Sequence, residues 1–236
     1  MKFSKPKHFF IVLIAFLALG IPFKVMVLVE GFTEVRPVNA IPPIAGMICG
    51  PIGALACGVG NIIADLFGTF NATSLLGLFG NFVAAYLPYR MWHIYSDEEP
   101  NLHQNVNILK YVLICLTAAL SVSWFLGLGL YYFFGTWVEQ VYTYIFFNNF
   151  GFSIGLGMPL FIMLSSKDVN IQCAPKPGRY LLLRNGKLRK TVPVLYTAAL
   201  AVIMVHVLLL HDTPESNPIF GICSVLGLFG MAAICI

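Results

Sequence analysis

The chain carries very little charge. Only 10% of its 236 residues are Asp, Glu, Lys or Arg, whereas 58% are hydrophobic. A soluble domain carries about a quarter charged residues, so this composition excludes an ordinary water-soluble fold. The long apolar runs instead predict an all-α integral membrane protein. No segment between the runs is long enough to build a core of its own, so we expect one integral membrane domain.

Sequence signatures of nucleotide and zinc chemistry are also missing. There is no GxxxxGK[ST] or GxGxxG phosphate loop and no HExxH helix. A self-contained ATPase or zinc protease therefore finds no support, and no convincing pair of catalytic groups argues for another intramembrane enzyme. We expect no enzymatic activity, no cofactor, no metal site and no nucleic-acid partner.

The cysteines form no CxxC pair, and five of the six lie in apolar segments. We therefore expect them to act as small buried hydrophobic residues rather than as metal ligands or disulfide partners.

Six apolar runs reach the roughly 20 residues that a helix needs to cross the hydrocarbon core. Apolar sequence continues past Pro22, so the first run is interpreted as one spanning helix with Lys24 inside it rather than as a cleaved signal peptide. The predicted spans cover residues 9–29, 73–93, 108–134, 139–165, 193–211 and 217–236.

Basic residues are concentrated in two segments. Of 14 Lys and Arg, three lie in residues 1–8 and seven in residues 166–191, so both segments are expected in the cytoplasm. An even number of crossings must then separate them, and residues 38–70 must either return to the face they left or not cross at all. The Gly50-Pro51 pair indicates two short helices that turn there or a re-entrant hairpin.

Polar side chains beside or within apolar runs are candidate ligand contacts, because such groups are costly at membrane depth. Some lie in and just after the first outward loop, where ordinary solvation is an equal alternative. Asn61 and Asp65 are four residues apart and would share one helix face. The candidate ligand-binding residues are Glu34, Arg36, Asn39, Asn61, Asp65, Glu139, Tyr144, Asn148 and Asn149.

Several polar or aromatic residues have a structural interpretation as well. The aromatics and amides of 137–149 suit either a pocket for a flat heterocycle or an interfacial belt. Asn81 is favoured as an amide that bridges two helices, and Arg90 as a cation that extends to the membrane surface. His206 has no evident carboxylate partner and is expected to bridge helices by a hydrogen bond.

Two adjacent stretches resemble a known family of membrane proteins. The sequences VRPVNAIPPIAGMICGPIGALACGVGNIIADLFG (35–68) and SLLGLFGNFVAAYLPYRMW (74–92) are similar to S-components, the substrate-binding membrane subunits of energy-coupling factor (ECF) vitamin transporters. The shared features are an outward loop, a short apolar segment, Gly-Pro, and a glycine-rich helix that ends near an aspartate. The resemblance covers roughly residues 9–165.

The resemblance implies a six-helix domain over residues 1–165 with short or broken helices 2 and 3. This domain would bind a vitamin-like, heterocyclic solute in an outward pocket formed by Glu30–Asn39, the Asp65 end of helix 3 and the outer end of helix 6. It would dock on a transmembrane coupling subunit with cytoplasmic ATPases, in a prokaryotic cell membrane, with a cytoplasmic N-terminus.

The chain departs from the family pattern in two places. Helix 1 lacks the usual Ala-x-x-x-Ala docking face, because Ala15 is followed four residues later by Leu19. The chain also continues beyond the six helices, with a basic loop at 166–192 and a transmembrane hairpin at 193–236. Similar membrane modules occur fused to signalling domains, so a sensor that binds a ligand without transporting it is the alternative.

Overall fold

The computed structural model describes residues 4–30, 32–68, 70–166, 169, 172–178 and 180–236, and most of them are helical. The helices are α1 (Lys5–Gly20), α2 (Ile41–Asp65), α3 (Ser74–Tyr95), α4 (Asn105–Phe134), α5 (Glu139–Phe152), α6 (Met158–Leu164), α7 (Gly186–Leu210) and α8 (Pro218–Cys235). A π turn, Ser153–Gly157, joins α5 to α6. Among the described residues, one small antiparallel hairpin is formed by β1 (Val27–Val29) and β2 (Thr33–Glu34).

Six helical segments within the described ranges are long and apolar enough to cross a membrane. The predicted all-α membrane architecture is thereby confirmed. Helix α3 is not one of the six, because Asn81, Arg90 and His93 reduce its hydropathy. It packs against both α2 and α4, so protein neighbours rather than lipid cover most of these polar groups.

The first helix is shorter than predicted. Helix α1 ends at Gly20, and Pro22 opens a 3-10 turn, Pro22–Val25, that leads into β1. Proline has no backbone N–H to continue the helical hydrogen bonds, which explains why the helix stops although the apolar run does not. Lys24 lies inside the candidate span Lys5–Val25, as predicted, but on this 3-10 turn rather than on the regular α-helix.

Helix α2 is two short helices that turn at Gly50, as one of the two alternatives predicted. Gly50 has φ 59° and ψ −140°, a backbone conformation open almost only to glycine. The halves fold back so closely that a Cβ on Gly53 would lie 2.2 Å from the Ala45 carbonyl oxygen. Small residues also let α2 meet α3, because a Cβ on Gly46 would lie 1.7 Å from the Ala85 carbonyl oxygen.

The helices define two ends of the bundle. At the site end, Lys24 lies within ion-pair distance of both Glu34 and Asp65, so the chain returns to the face it left. At the basic end, Lys5 and Lys176 line one cavity, so the two basic segments lie on the same side. This placement at one end agrees with the expectation that an even number of crossings separates the two segments.

The C-terminal helices pack into the main core. Leu200 and Phe220 belong to the same buried cluster as Trp124 of α4 and Tyr142 of α5. The six cysteines are free, and four of them, at 49, 57, 115 and 223, are buried among apolar side chains. This placement agrees with their predicted role as small hydrophobic residues.

Candidate functional site

A buried ion triad lies at the site end. The Lys24 ammonium is 2.7 Å from Glu34 Oε1 and 2.5 Å from Asp65 Oδ1, and the three side chains are only 5%, 6% and 9% exposed. They come from the 3-10 turn, from β2 and from the end of α2. Charges this deep require partners, so the triad fixes these three segments against one another.

Asn61 connects the triad to its neighbours. Its Nδ2 donates to Asp65 Oδ2 at 3.1 Å, which confirms that the two residues share a helix face. Its Oδ1 accepts from Arg36 Nη2 at 2.6 Å and from Asn81 Nδ2 at 3.0 Å. A Cβ on Gly77 of α3 would lie 2.5 Å from the Asn61 amide nitrogen, so a larger residue there would displace the Asn61 side chain. Asn81 thus bridges α3 and α2, as predicted.

Asn148 joins the first loop to α5. Its Nδ2 donates to the Glu34 carbonyl oxygen at 2.9 Å, and its Oδ1 accepts from the Arg36 backbone N–H at 3.3 Å. The side chain is 6% exposed. One amide therefore satisfies two backbone groups of the loop, and α5 forms one wall of the site.

The π turn contacts the segment that follows β2, through Asn39. Ser153 Oγ donates to the Asn39 carbonyl oxygen at 3.1 Å, and the Ser153 carbonyl oxygen accepts from Tyr111 at 2.9 Å. Residues 151–155, GFSIG, also match the GxSxG pattern of serine hydrolases. In serine hydrolases this pattern forms a sharp turn between a strand and a helix. Here it lies on a continuous helix and the serine is buried, so the match does not indicate a catalytic serine.

A small cavity of about 70 Å³ lies among these residues. A water molecule needs roughly 10–15 Å³ of such space, so about five waters would fill it. The polar lining consists of Lys24, Thr33, Glu34, Arg36, Asn61, Asp65, Asn71, Thr73 and Ser74. Leu76, Leu126, Leu130, Val141 and Ile145 supply the apolar wall. A second cavity of about 20 Å³ shares part of this wall and is lined by Asn39, Asn148 and Asn149.

The charges of the site balance. Lys24 and Arg36 supply two positive charges, and Glu34 and Asp65 supply two negative ones. Arg36 Nε is 3.9 Å from Glu34 Oε1, a longer contact than either contact of the lysine. Lys24 is therefore the main counterion of both carboxylates. Such a site can present hydrogen-bond donors and acceptors together to a neutral or zwitterionic solute.

The predicted site residues separate into three groups. Glu34, Arg36, Asn61, Asp65 and Asn148 form the network, while Asn39 and Asn149 line the smaller cavity.

Glu139 and Tyr144 lie outside both cavities. Glu139 accepts instead from His211 at 2.9 Å, and Tyr144 is 38% exposed. The buried face of α5 runs through Val141, Ile145 and Asn148, which leaves Tyr144 at its edge.

Sequence reasoning missed Lys24 as a site residue and misjudged two other polar residues. Pro22 was the available signal for Lys24, since it ends the helix before the lysine. Arg90 does not extend to the membrane surface, because it is 5% exposed and its Nε donates to the Ile234 carbonyl oxygen at 2.8 Å. His206 does have a carboxylate partner, Asp212, at 2.7 Å.

Comparison with protein-family models, with characterised proteins and with solved structures finds no match for this chain. Within the described residues, no group of three or more His, Cys, Asp or Glu side chains could hold a metal ion.

Proposed function

We propose that the protein is the membrane-embedded binding subunit for uptake of a vitamin-like small solute. A separate coupling subunit and cytoplasmic ATPases would supply the energy, in a prokaryotic cell membrane with the basic end towards the cytoplasm. The observation that carries the proposal is the convergence of Lys24, Glu34, Arg36 and Asp65 on one cavity at one end of the bundle. The amides of Asn61, Asn81 and Asn148, from three helices, hydrogen-bond these residues or line the smaller adjoining cavity. Buried polar groups that converge in this way are typical of a solute site.

On this proposal, the cavity must open before a solute can enter. Pockets for drug-sized ligands measure about 300–1,000 Å³, far more than the cavity of about 70 Å³. A heterocyclic solute therefore enters only if the β1–β2 hairpin moves away from α5. That movement separates Glu34 from Lys24 or from Asn148, so the hairpin acts as the lid and these contacts hold it closed.

A sensor that binds a ligand without transport is the second candidate. Helix α3 carries Asn81 in the site network and Arg90 at the opposite end, where it holds the carbonyl oxygen of Ile234 on α8. A rigid helix that contacts both ends of the bundle could communicate to a cytoplasmic partner whether the site is occupied. Accumulation of a labelled solute by cells distinguishes transport from sensing.

Native mass spectrometry of gently purified protein tests solute binding. Wild type should retain a small molecule that Asp65→Asn and Asn148→Ala lose, because Asp65 lines the cavity and Asn148 holds the loop of Glu34 and Arg36 against it. Tyr144→Ala is the matched control on the same helix and should retain the solute. If no small molecule is retained after growth in any medium, or if both site variants bind normally, the cavity is not the binding site.

A further inference from the structure

A second, larger cavity lies at the basic end, outside the site described above. It measures about 520 Å³ and is formed where residues 176–178 and 180–184 lie over the end of α3. Its charged lining is Lys176, Arg184, Arg189 and Asp97. Among the described lining residues the cations outnumber the carboxylate three to one, so the cavity favours an anion.

The floor of this cavity consists of buried groups. Tyr180 is 7% exposed and lies between two guanidinium groups, with Arg90 4.0 Å and Arg189 5.2 Å from its ring centroid. Arg90 Nη2 and Arg189 Nε have no hydrogen-bond partner among the described residues, and the same is true of His93 Nδ1. The two guanidinium groups beside Tyr180 therefore add positive charge at the floor and edge of the cavity.

An apolar groove adjoins this cavity. A neighbouring cavity of about 460 Å³ shares residues 176–178 with it and is also lined by Lys5 and Arg90. The groove continues along Ile52 and Leu55 on the second half of α2, and Leu55 is 47% exposed. A cationic cavity beside an exposed apolar groove matches a ligand with a phosphate group at one end and a hydrocarbon chain at the other.

We propose that this basic cavity binds the phosphate of an anionic phospholipid, with an acyl chain lying along Ile52 and Leu55. Arg184, Arg189 and Lys176 hold the headgroup, while Arg90 and Lys5 extend the positive field towards the groove. Basic pockets between membrane helices bind anionic headgroups through this combination of charge and donors. A soluble phosphate ester offers the same headgroup chemistry without the chain, and the groove favours the lipid.

Lipid titration followed by native mass spectrometry tests this proposal. Delipidated full-length protein is mixed with phosphatidylglycerol or with phosphatidylcholine of the same acyl chains, and wild type should bind the anionic lipid more tightly. Each juxtamembrane cation contributes roughly fivefold in affinity, so the double variant Lys176→Gln and Arg184→Gln should weaken phosphatidylglycerol binding about 25-fold. Phosphatidylcholine binding should stay unchanged.

Lys190→Gln is the matched control, since Lys190 is exposed and lies outside both cavities. Equal affinity for the two lipids, or equal weakening by the control, would overturn the proposal. A third arm adds glycerol phosphate as competitor. Displacement of the lipid at comparable concentration would show that the chain adds nothing and that the cavity takes a soluble phosphate ester instead. None of these results depends on solute binding at the opposite end.

Discussion

Lys24 is the cation of the buried triad, and its replacement should show how much the triad contributes to stability. In Lys24→Met, Glu34 and Asp65 keep their burial but lose their main counterion. Removing one partner of a buried ion pair costs about 3–5 kcal/mol. Arg36 is still 3.9 Å from Glu34, and Asn61 still donates to Asp65, so we expect a value near the lower end.

The loss should be visible as a change in melting temperature. For proteins of 150–250 residues, 1 kcal/mol corresponds to about 2–4 °C, so a loss of about 3 kcal/mol lowers the melting temperature by about 6–12 °C. The assay is thermal unfolding of purified protein in one detergent at pH 7. Lys190→Met is the control, because it removes an exposed lysine and should shift the melting temperature by no more than about 2 °C.

A rescue variant separates charge from packing. Combining Lys24→Met with Glu34→Gln and Asp65→Asn removes all three charges, and neutral replacement of a buried ion network costs little. This triple variant should recover most of the lost melting temperature. The reasoning is refuted if Lys24→Met melts like wild type, or if the triple variant is less stable than the single one.

Two further predictions concern packing and pH. Gly46→Ala should prevent folding or expression, because its Cβ would lie 1.7 Å from the Ala85 carbonyl oxygen of α3. Gly221→Ala is the control and should express normally, because a Cβ there would have no atom within 4 Å. The yield of detergent-solubilised protein measures both effects. Hydrogen bonds from His206 and then from Asn217 lower the pKa of Asp212. This stabilisation is present above the unfolded pKa and is lost as pH falls through the folded value. Asp212→Asn should therefore show a smaller decline in melting temperature than wild type below about pH 4. Equal slopes of melting temperature against pH in the variant and in wild type would contradict the prediction.

The fold-back of α2 was predictable from sequence because two independent signals agreed. The distribution of Lys and Arg demanded an even number of crossings, and the Gly50-Pro51 pair supplied a turn. The end of α1 was not predictable from hydropathy, since apolar residues continue through Val29 although Pro22 stops the helix. Hydropathy therefore placed Lys24 in a continuous helix rather than on the turn, and the central cation of the site was not recognised.

Helical spacing predicted which residues share a helix face, but not which face points into the site. Asn61 and Asp65 share a face at any rotation of their helix, so the pair was correct. Which face of α5 turns inwards depends on the packing of Ile145, and this packing brings in Asn148 but leaves Tyr144 at the edge. Such a rotation is a property of the assembled bundle and is not encoded in local spacing.

If the proposed function holds, the triad also limits how tightly a solute can bind. If opening the lid breaks the contacts of Lys24 at a cost of about 3 kcal/mol, the apparent affinity falls about 150-fold below that of the open site. A solute recovers this loss only by offering donors to Glu34 and Asp65 in place of the ammonium, or by leaving the lysine bound and contacting Arg36 and Asn148. The first case requires a cationic or amine-bearing solute and the second a neutral one. Solute affinity in Lys24→Met distinguishes them, because it rises where the solute displaces the lysine and falls where the solute needs the lysine to keep Glu34 and Asp65 in place.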